Sequence, residues 1–175
     1  MAPAMELLIV RHGIACERNA KRWPDDGERP LASRGMMRAR RAAAGLRRLA
    51  PRPARVLVSP LERTRHTAAI LAQFAGWPRA IPCPLLQPGA SAEALLALLA
   101  RSADQCVAIV GHQPDLGRLL ALCVPGSAGS DAFELRKMGA ALVGFAGAPR
   151  AGHGALVWLL PPALLRAARR LPLKG

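Results

Sequence analysis

Tyrosine is absent from this 175-residue chain, and Phe and Trp together supply only 3% aromatics. A core must therefore be assembled from Leu, Val, Ile and Ala. Acidic residues are also scarce, 11 against 25 basic ones, which leaves a net charge of +14. Lys21, Lys137 and Lys174 are the only lysines, so arginine carries nearly all of that charge. The excess raises nucleic-acid binding as a class, but the sequence lacks what that class requires. No basic stretch is interleaved with aromatics, and no helix-turn-helix or RNA-binding signature is present. The arginines are read as solvated helix faces in an Ala/Arg/Gly/Pro-rich composition, whose field also draws anionic substrates inward. Long apolar runs are missing at the start: Leu7-Leu8-Ile9-Val10 ends at Arg11, too short for a secretion-signal core. No later stretch approaches a membrane span, so a cytoplasmic protein with no membrane partner is expected. The four cysteines, Cys16, Cys83, Cys106 and Cys123, form no C-x-x-C pair. Reduced, mostly buried thiols are expected, with no zinc site and no cofactor.

The chain that remains is 51% hydrophobic with a mean hydropathy of +0.17, which suits one compact domain over residues 1–175. Short apolar runs read as strands at Glu6–Arg11, Arg55–Ser59, Cys106–Gly111, Ala141–Phe145 and Ala155–Leu160. Helical periodicity marks Ser33–Leu49, Glu62–Phe74, Ser91–Ala100, Asp115–Cys123 and Ala163–Arg170, while Ala20–Pro30 and Pro125–Ser130 read as surface loops. Alternation of this kind predicts an α/β fold, a three-layer α/β/α sandwich on a mainly parallel sheet. The last two strands are close enough to form an antiparallel hairpin at one edge.

Ligands of such sheets bind beyond the carboxyl ends of the strands. There the sequence places Arg11-His12-Gly13 after the first strand, Ser59-Pro60-Leu61-Glu62-Arg63 after the second, and Gly111-His112-Gln113-Pro114 after the third. Ser59 and Glu62 have capping-box spacing, and Pro60 suits a first helical position. Arg63 then falls on the inward face with Thr67, Ile70, Leu71 and Phe74. Any one of these residues has an ordinary structural reading. Three strand ends delivering cationic or imidazole groups to one rim point to a phosphate pocket, because the guanidinium fork matches two phosphate oxygens and stays charged. Two histidines could also be metal ligands, but no carboxylate accompanies them and the arginines would repel a cation. The same arginines should lower the histidine pKa and keep the imidazole neutral and nucleophilic.

These motifs, Arg11-His12-Gly13, Ser59-Pro60-x-x-Arg63-x-x-x-Thr67-Ala68 and Gly111-His112, resemble the histidine phosphatase superfamily (phosphoglycerate mutase-like). Within it, the short length, Arg29-Pro30-Leu31-x-x-x-Gly35, Gly111-His112-x-Pro114 and Trp158-x-Leu160-x-Pro162 are similar to the SixA type of phosphohistidine phosphatase. The resemblance implies a phosphoglycerate mutase-like fold and a metal-independent phosphatase. It implies His12 as nucleophile, with Arg11, Arg63 and His112 around the phosphoryl oxygens and Gly13 letting the backbone pass close to the ligand. The implied partner is a phosphorylated substrate, a phosphotransfer or histidine-phosphorylated protein.

The sequence also departs from the pattern. Mutase-like members carry an inserted glutamate acid and an Asn shortly after the nucleophile; here there is no large insertion, and Glu17 stands near the place of that Asn. Asp25, Asp26 and Glu28, in the loop before Arg29, and Glu93, at a helix start, are the candidate general acids. For each of them a solvated or helix-start role is the ordinary reading. A pocket without a strong acid suits an imidazole leaving group better than an alkoxide. A small-molecule phosphomonoesterase and a non-catalytic phosphate-binding regulatory module remain as alternatives. Lys137 and His153 could approach the pocket or sit on the surface, and the surface is the expectation; oligomeric state is not encoded legibly.

Overall fold

The computed structural model describes residues 4–127 and 132–172. Its centre is strand β1 (Met5–Arg11), whose residues Leu7 to Val10 are completely buried. Such a run has no polar face because helices cover both sides of it. Successive side chains alternate between two cores. Leu8 and Val10 enter one, with helices α1 (Ser33–Leu49), α2 (Glu62–Ala75) and α5 (Pro162–Ala168). Leu7 and Ile9 enter the other, with α3 (Ala92–Ala100) and α4 (Asp115–Cys123). The three-layer expectation therefore holds.

The remaining strands are β2 (Arg55–Val58), β3 (Ile81–Pro82), β4 (Cys106–Gly111), β5 (Ala140–Phe145) and β6 (Gly154–Leu160), in the order β3-β2-β4-β1-β5-β6. Pairing is parallel from β3 through β1 and antiparallel for β1-β5 and β5-β6, so the hairpin closes one edge as expected. β3 was not foreseen: two exposed residues carry no period and are ordered only by pairing with β2. The last helix begins at Pro162, one residue early, and stops at Ala168 instead of Arg170. Part of the expected loop Pro125–Ser130, residues 128–130, lies outside the described residues. The four thiols are unpaired, and three are buried. Among the described residues no helix is long and apolar enough to cross a membrane.

The start of α2 needs a correction. Leu61 occupies the cap position and makes no side-chain bond, so the Ser59/Glu62 box does not form and Pro60 precedes the helix. The Thr64 hydroxyl closes this turn, donating to the carbonyls of Ser59 at 2.8 Å and Leu61 at 2.5 Å. That frees the Ser59 side chain for the site described below.

Helix α1 buries Gly35, Ala39, Ala42, Ala43 and Leu46 and turns its arginines outward. Small residues let α5 approach closely: a Cβ on Gly45 would stand 1.8 Å from the Leu165 carbonyl oxygen. That neighbour is backbone and cannot move aside cheaply. Gly45→Ala should therefore destabilise the fold by about 2 kcal/mol through overpacking, read as a lower urea midpoint at unchanged slope.

Candidate active site

The register of the sheet builds the site. Arg11 of β1 lies opposite Gly111 of β4, and Val58 of β2 opposite Val110. The next residues along these chains, His12, Ser59 and His112, consequently emerge side by side at one rim. The two imidazole centroids are 5.1 Å apart, with ring planes inclined at 57°. Arg63 arrives from the first turn of α2. All four residues foreseen for the pocket, Arg11, His12, Arg63 and His112, line a single cleft of about 750 Å³. A larger hollow between α2 and β3, about 970 Å³, contains Glu62 and His66 but none of these four.

His12 is 7% exposed, and its Nδ1 lies 2.7 Å from the Gly13 carbonyl oxygen. A carbonyl only accepts, so Nδ1 carries the proton and Nε2 keeps its lone pair. Burial lowers the His12 pKa to about 4; the bond to Gly13 works against that shift, and the charges of Arg63, Arg11 and Lys137 add to it. The expected depression is present, though desolvation leads it and the arginines are secondary. His112 is lowered further, to about 3, again by burial first and then by His12, Arg63 and Arg11. Its Nε2 is 2.9 Å from the Ser59 hydroxyl, which fixes the ring.

The cations are held as firmly. Arg63 Nη1 donates to the Asp26 carbonyl oxygen at 2.8 Å and lies 3.2 Å from Asp26 Oδ2. Arg11 Nη1 donates to the Leu135 carbonyl at 2.7 Å, while its Nε is buried with no acceptor. A buried guanidinium donor without a partner is costly. Gly13, foreseen close to the substrate, does not itself line the cleft. Its amide donates to Thr67 Oγ1 at 3.0 Å and so is not offered to a ligand. Its carbonyl orients His12.

None of the foreseen acids lines the cleft. Asp25 accepts from the Gly27 amide at 2.7 Å, and with Glu28 it lines a neighbouring hollow. Asp26 sits between Arg29 and Arg63. Slight burial acts to raise its pKa, but the hydrogen bond from Arg29 and the charges of Arg29, Arg63 and Arg18 prevail and lower it. Glu93 is exposed, accepts from Ser91 Oγ at 2.8 Å, and does not line the cleft. Carboxylates that do line it are Glu17, which is exposed, and Asp115, which accepts from the Gly89 amide at 3.1 Å.

Sequence reasoning missed Ser59, whose spacing suggested a cap, and favoured the surface over the pocket for Lys137. Lys137 is exposed as expected, yet it also lines the cleft. Its position comes from a turn at Met138, φ 62°, whose amide lies 3.1 Å from the Arg11 carbonyl and 3.2 Å from that of His12. No periodicity signals such a turn. His153 is exposed and lines none of the cleft.

The histidine phosphatase superfamily (branch 1) pattern matches residues 7–86. An uncharacterized protein of Picosynechococcus sp. is 38% identical over 138 residues, covering 77% of this chain and 82% of the relative. Among solved structures, the protein histidine phosphatase SixA complexed with tungstate aligns with a TM-score of 0.80 at 27% identity, over 92% of this chain and 99% of that one. A protein described as the putative phosphohistidine phosphatase SixA of Agrobacterium tumefaciens shares the fold at a TM-score of 0.73 and 21% identity, over 93% and 99%. With two histidines and two arginines converging on one rim, these likenesses define the class: the chain belongs to the histidine phosphatase superfamily, whose activity is that of a phosphatase. Within that superfamily its likeness is to the SixA type.

The depressed histidines make stability pH-dependent. Between 6.5, the ordinary histidine pKa, and about 4, unfolded His12 binds a proton that folded His12 refuses. Stability should therefore be complete above 6.5 and fall as the pH drops through that window, at up to about 1.4 kcal/mol per pH unit for each such histidine. Urea titrations across this range check the slope, and His12→Gln should reduce it to the share contributed by His112.

Proposed function

We propose that this phosphatase hydrolyses phosphohistidine on a protein, with His12 as the nucleophile and no metal ion. The observation that carries this reading is the His12 tautomer: Nδ1–H is committed to the Gly13 carbonyl, which leaves the Nε2 lone pair for attack in a pocket of fixed positive donors. In the first displacement a bond forms between Nε2 and phosphorus while the phosphorus–nitrogen bond of the substrate breaks. The departing imidazole takes up a proton from solvent. Arg11, Arg63 and His112 hold the three equatorial oxygens, where charge is spread in a loose transition state. In the second displacement water attacks the phosphorylated His12, releasing inorganic phosphate and restoring the ring.

The substrate class follows from the carboxylates. Asp26 is kept ionised by Arg29 and Arg63, Asp115 is committed to Gly89, and Glu17 is open to solvent. Among the described residues no carboxylic acid is held in the cleft ready for an alkoxide, whereas an imidazole leaves without such help. The SixA relative described as a protein histidine phosphatase supports the same choice.

Phosphate release would be measured in EDTA from a phosphohistidine peptide, p-nitrophenyl phosphate and an alkyl phosphate. His12→Ala should abolish turnover of the first two by about 10³-fold or more. Activity that survives the substitution would overturn the nucleophile, and activity lost to EDTA would overturn metal independence. The wild type should favour phosphohistidine over the alkyl ester by about 10²-fold or more. Comparable rates would favour the small-molecule phosphomonoesterase, and phosphate binding without release the regulatory module.

A further inference from the structure

Beside the phosphoryl cleft lies a second cavity of about 350 Å³. Arg11 and Lys137 line both, so the two are neighbours across a shared wall. The second cavity adds Arg38 of α1, Arg136 of the turn before β5 and Arg166 of α5, against one carboxylate, Glu134. Among the described residues none of Arg38, Arg136, Lys137 or Arg166 makes an ion pair. Cations drawn together from three segments without intramolecular partners create a field that an external anion would relieve.

The positive surface does not stop at the cavity. Arg34, Arg38, Arg41 and Arg48 recur on α1 at the spacing of one helix face, and α1 contains no acidic residue. Alongside runs α5 and the residues after it, equally free of acid, with Arg166, Arg169 and Arg170; Arg48 Nε donates to the Leu171 carbonyl there. At 17 residues α1 extends about 25 Å, far longer than a small metabolite. Met37 and Leu164, both more than half exposed, stand on the same two helices. Arginine mixed with exposed Met and Leu, and with no aromatic residue for base stacking, has the composition of a protein-binding surface and not of a nucleic-acid one.

We propose that this cavity, continued along the outer face of α1 and α5, docks acidic side chains that flank the phosphorylated residue of a protein substrate. The cavity seats a carboxylate next to the cleft, and the arginine stripe orients the rest of an acidic face. This inference rests on the phosphohistidine reading above. It adds a determinant of partner choice whose cations, Arg11 apart, do not act on phosphorus.

The test compares two phosphohistidine peptides, one with flanking Asp and Glu and one with Asn and Gln in their place, and p-nitrophenyl phosphate, at low and high salt. The wild type should prefer the acidic peptide by about tenfold in kcat/KM, chiefly through KM, and lose that preference as salt rises. The double variant R38E/R166E should erase the preference while leaving p-nitrophenyl phosphate turnover unchanged. A preference that survives in the variant, or none in the wild type, overturns the proposal. The unphosphorylated acidic peptide separates the two readings. If neither phosphopeptide is hydrolysed but this peptide inhibits p-nitrophenyl phosphate turnover and R38E/R166E relieves the inhibition, the docking surface stands and the phosphohistidine substrate falls. Absence of inhibition in that case overturns the surface as well. Duplex DNA inhibiting as strongly as the acidic peptide would make the surface a nucleic-acid site and overturn protein docking.

Discussion

Parallel pairing of β1 with β4, and of β4 with β2, is the constraint on which the rest depends. It is a backbone matter, set by carbonyl and amide partners and by the apolar runs that must be covered from both sides. Once Arg11 stands opposite Gly111 and Val58 opposite Val110, the following residues of three strands have to leave the sheet together. A one-residue slip on any of them would send its side chains to the other face. Burial of Leu7 to Val10 in two different cores guards against that slip, so the core and the site are specified by the same hydrogen bonds.

The electrostatics follow from this convergence. Bringing His12 and His112 to 5.1 Å in a largely buried rim, with guanidinium groups around them, makes a second or third positive charge expensive there. The rim responds in two ways. Both rings give up their protons at ordinary pH, and Arg63 gains an anchor in Asp26. The arginines remain charged because their intrinsic affinity for protons is too high for burial to overcome. What results is a pocket of fixed positive donors around neutral imidazoles, complementary to a dianion. The contacts that make Asp26 an anchor for Arg63 also keep its carboxylate ionised.

The large net charge fits the same pattern at longer range. Arginines on α1 and α5 need no partner for folding, because the buried faces of those helices are made of Ala, Gly and Leu. That leaves their outer faces free to carry a charge stripe at little structural cost. Its continuity with the cavity bordering Arg11 joins a diffuse surface property to a particular place beside the cleft.

The elements were legible where period and burial agree. The 17-residue α1 and the fully buried β4 follow their apolar patterns to the residue, and Arg11, His12, Arg63 and His112 were identifiable because strand ends place residues predictably. Ser59 was misread because a capping pattern describes a local option, while its hydroxyl was claimed by His112, 53 residues away. Gly13 and Asp26 make contacts to Thr67, Arg29 and Arg63 that spacing in the chain does not reveal. Lys137 reached the cleft through an αL turn at Met138 that no local propensity demands. The sequence by itself determined which strands form, which residues follow them, and that their charge is positive. Only tertiary structure decided which nitrogen of His12 is free, which carboxylates are already spent, and which cations share a wall. The reason is physical: hydrophobic period and strand order are local and repetitive, whereas a proton's position or an ion pair is settled by a single partner distant in sequence.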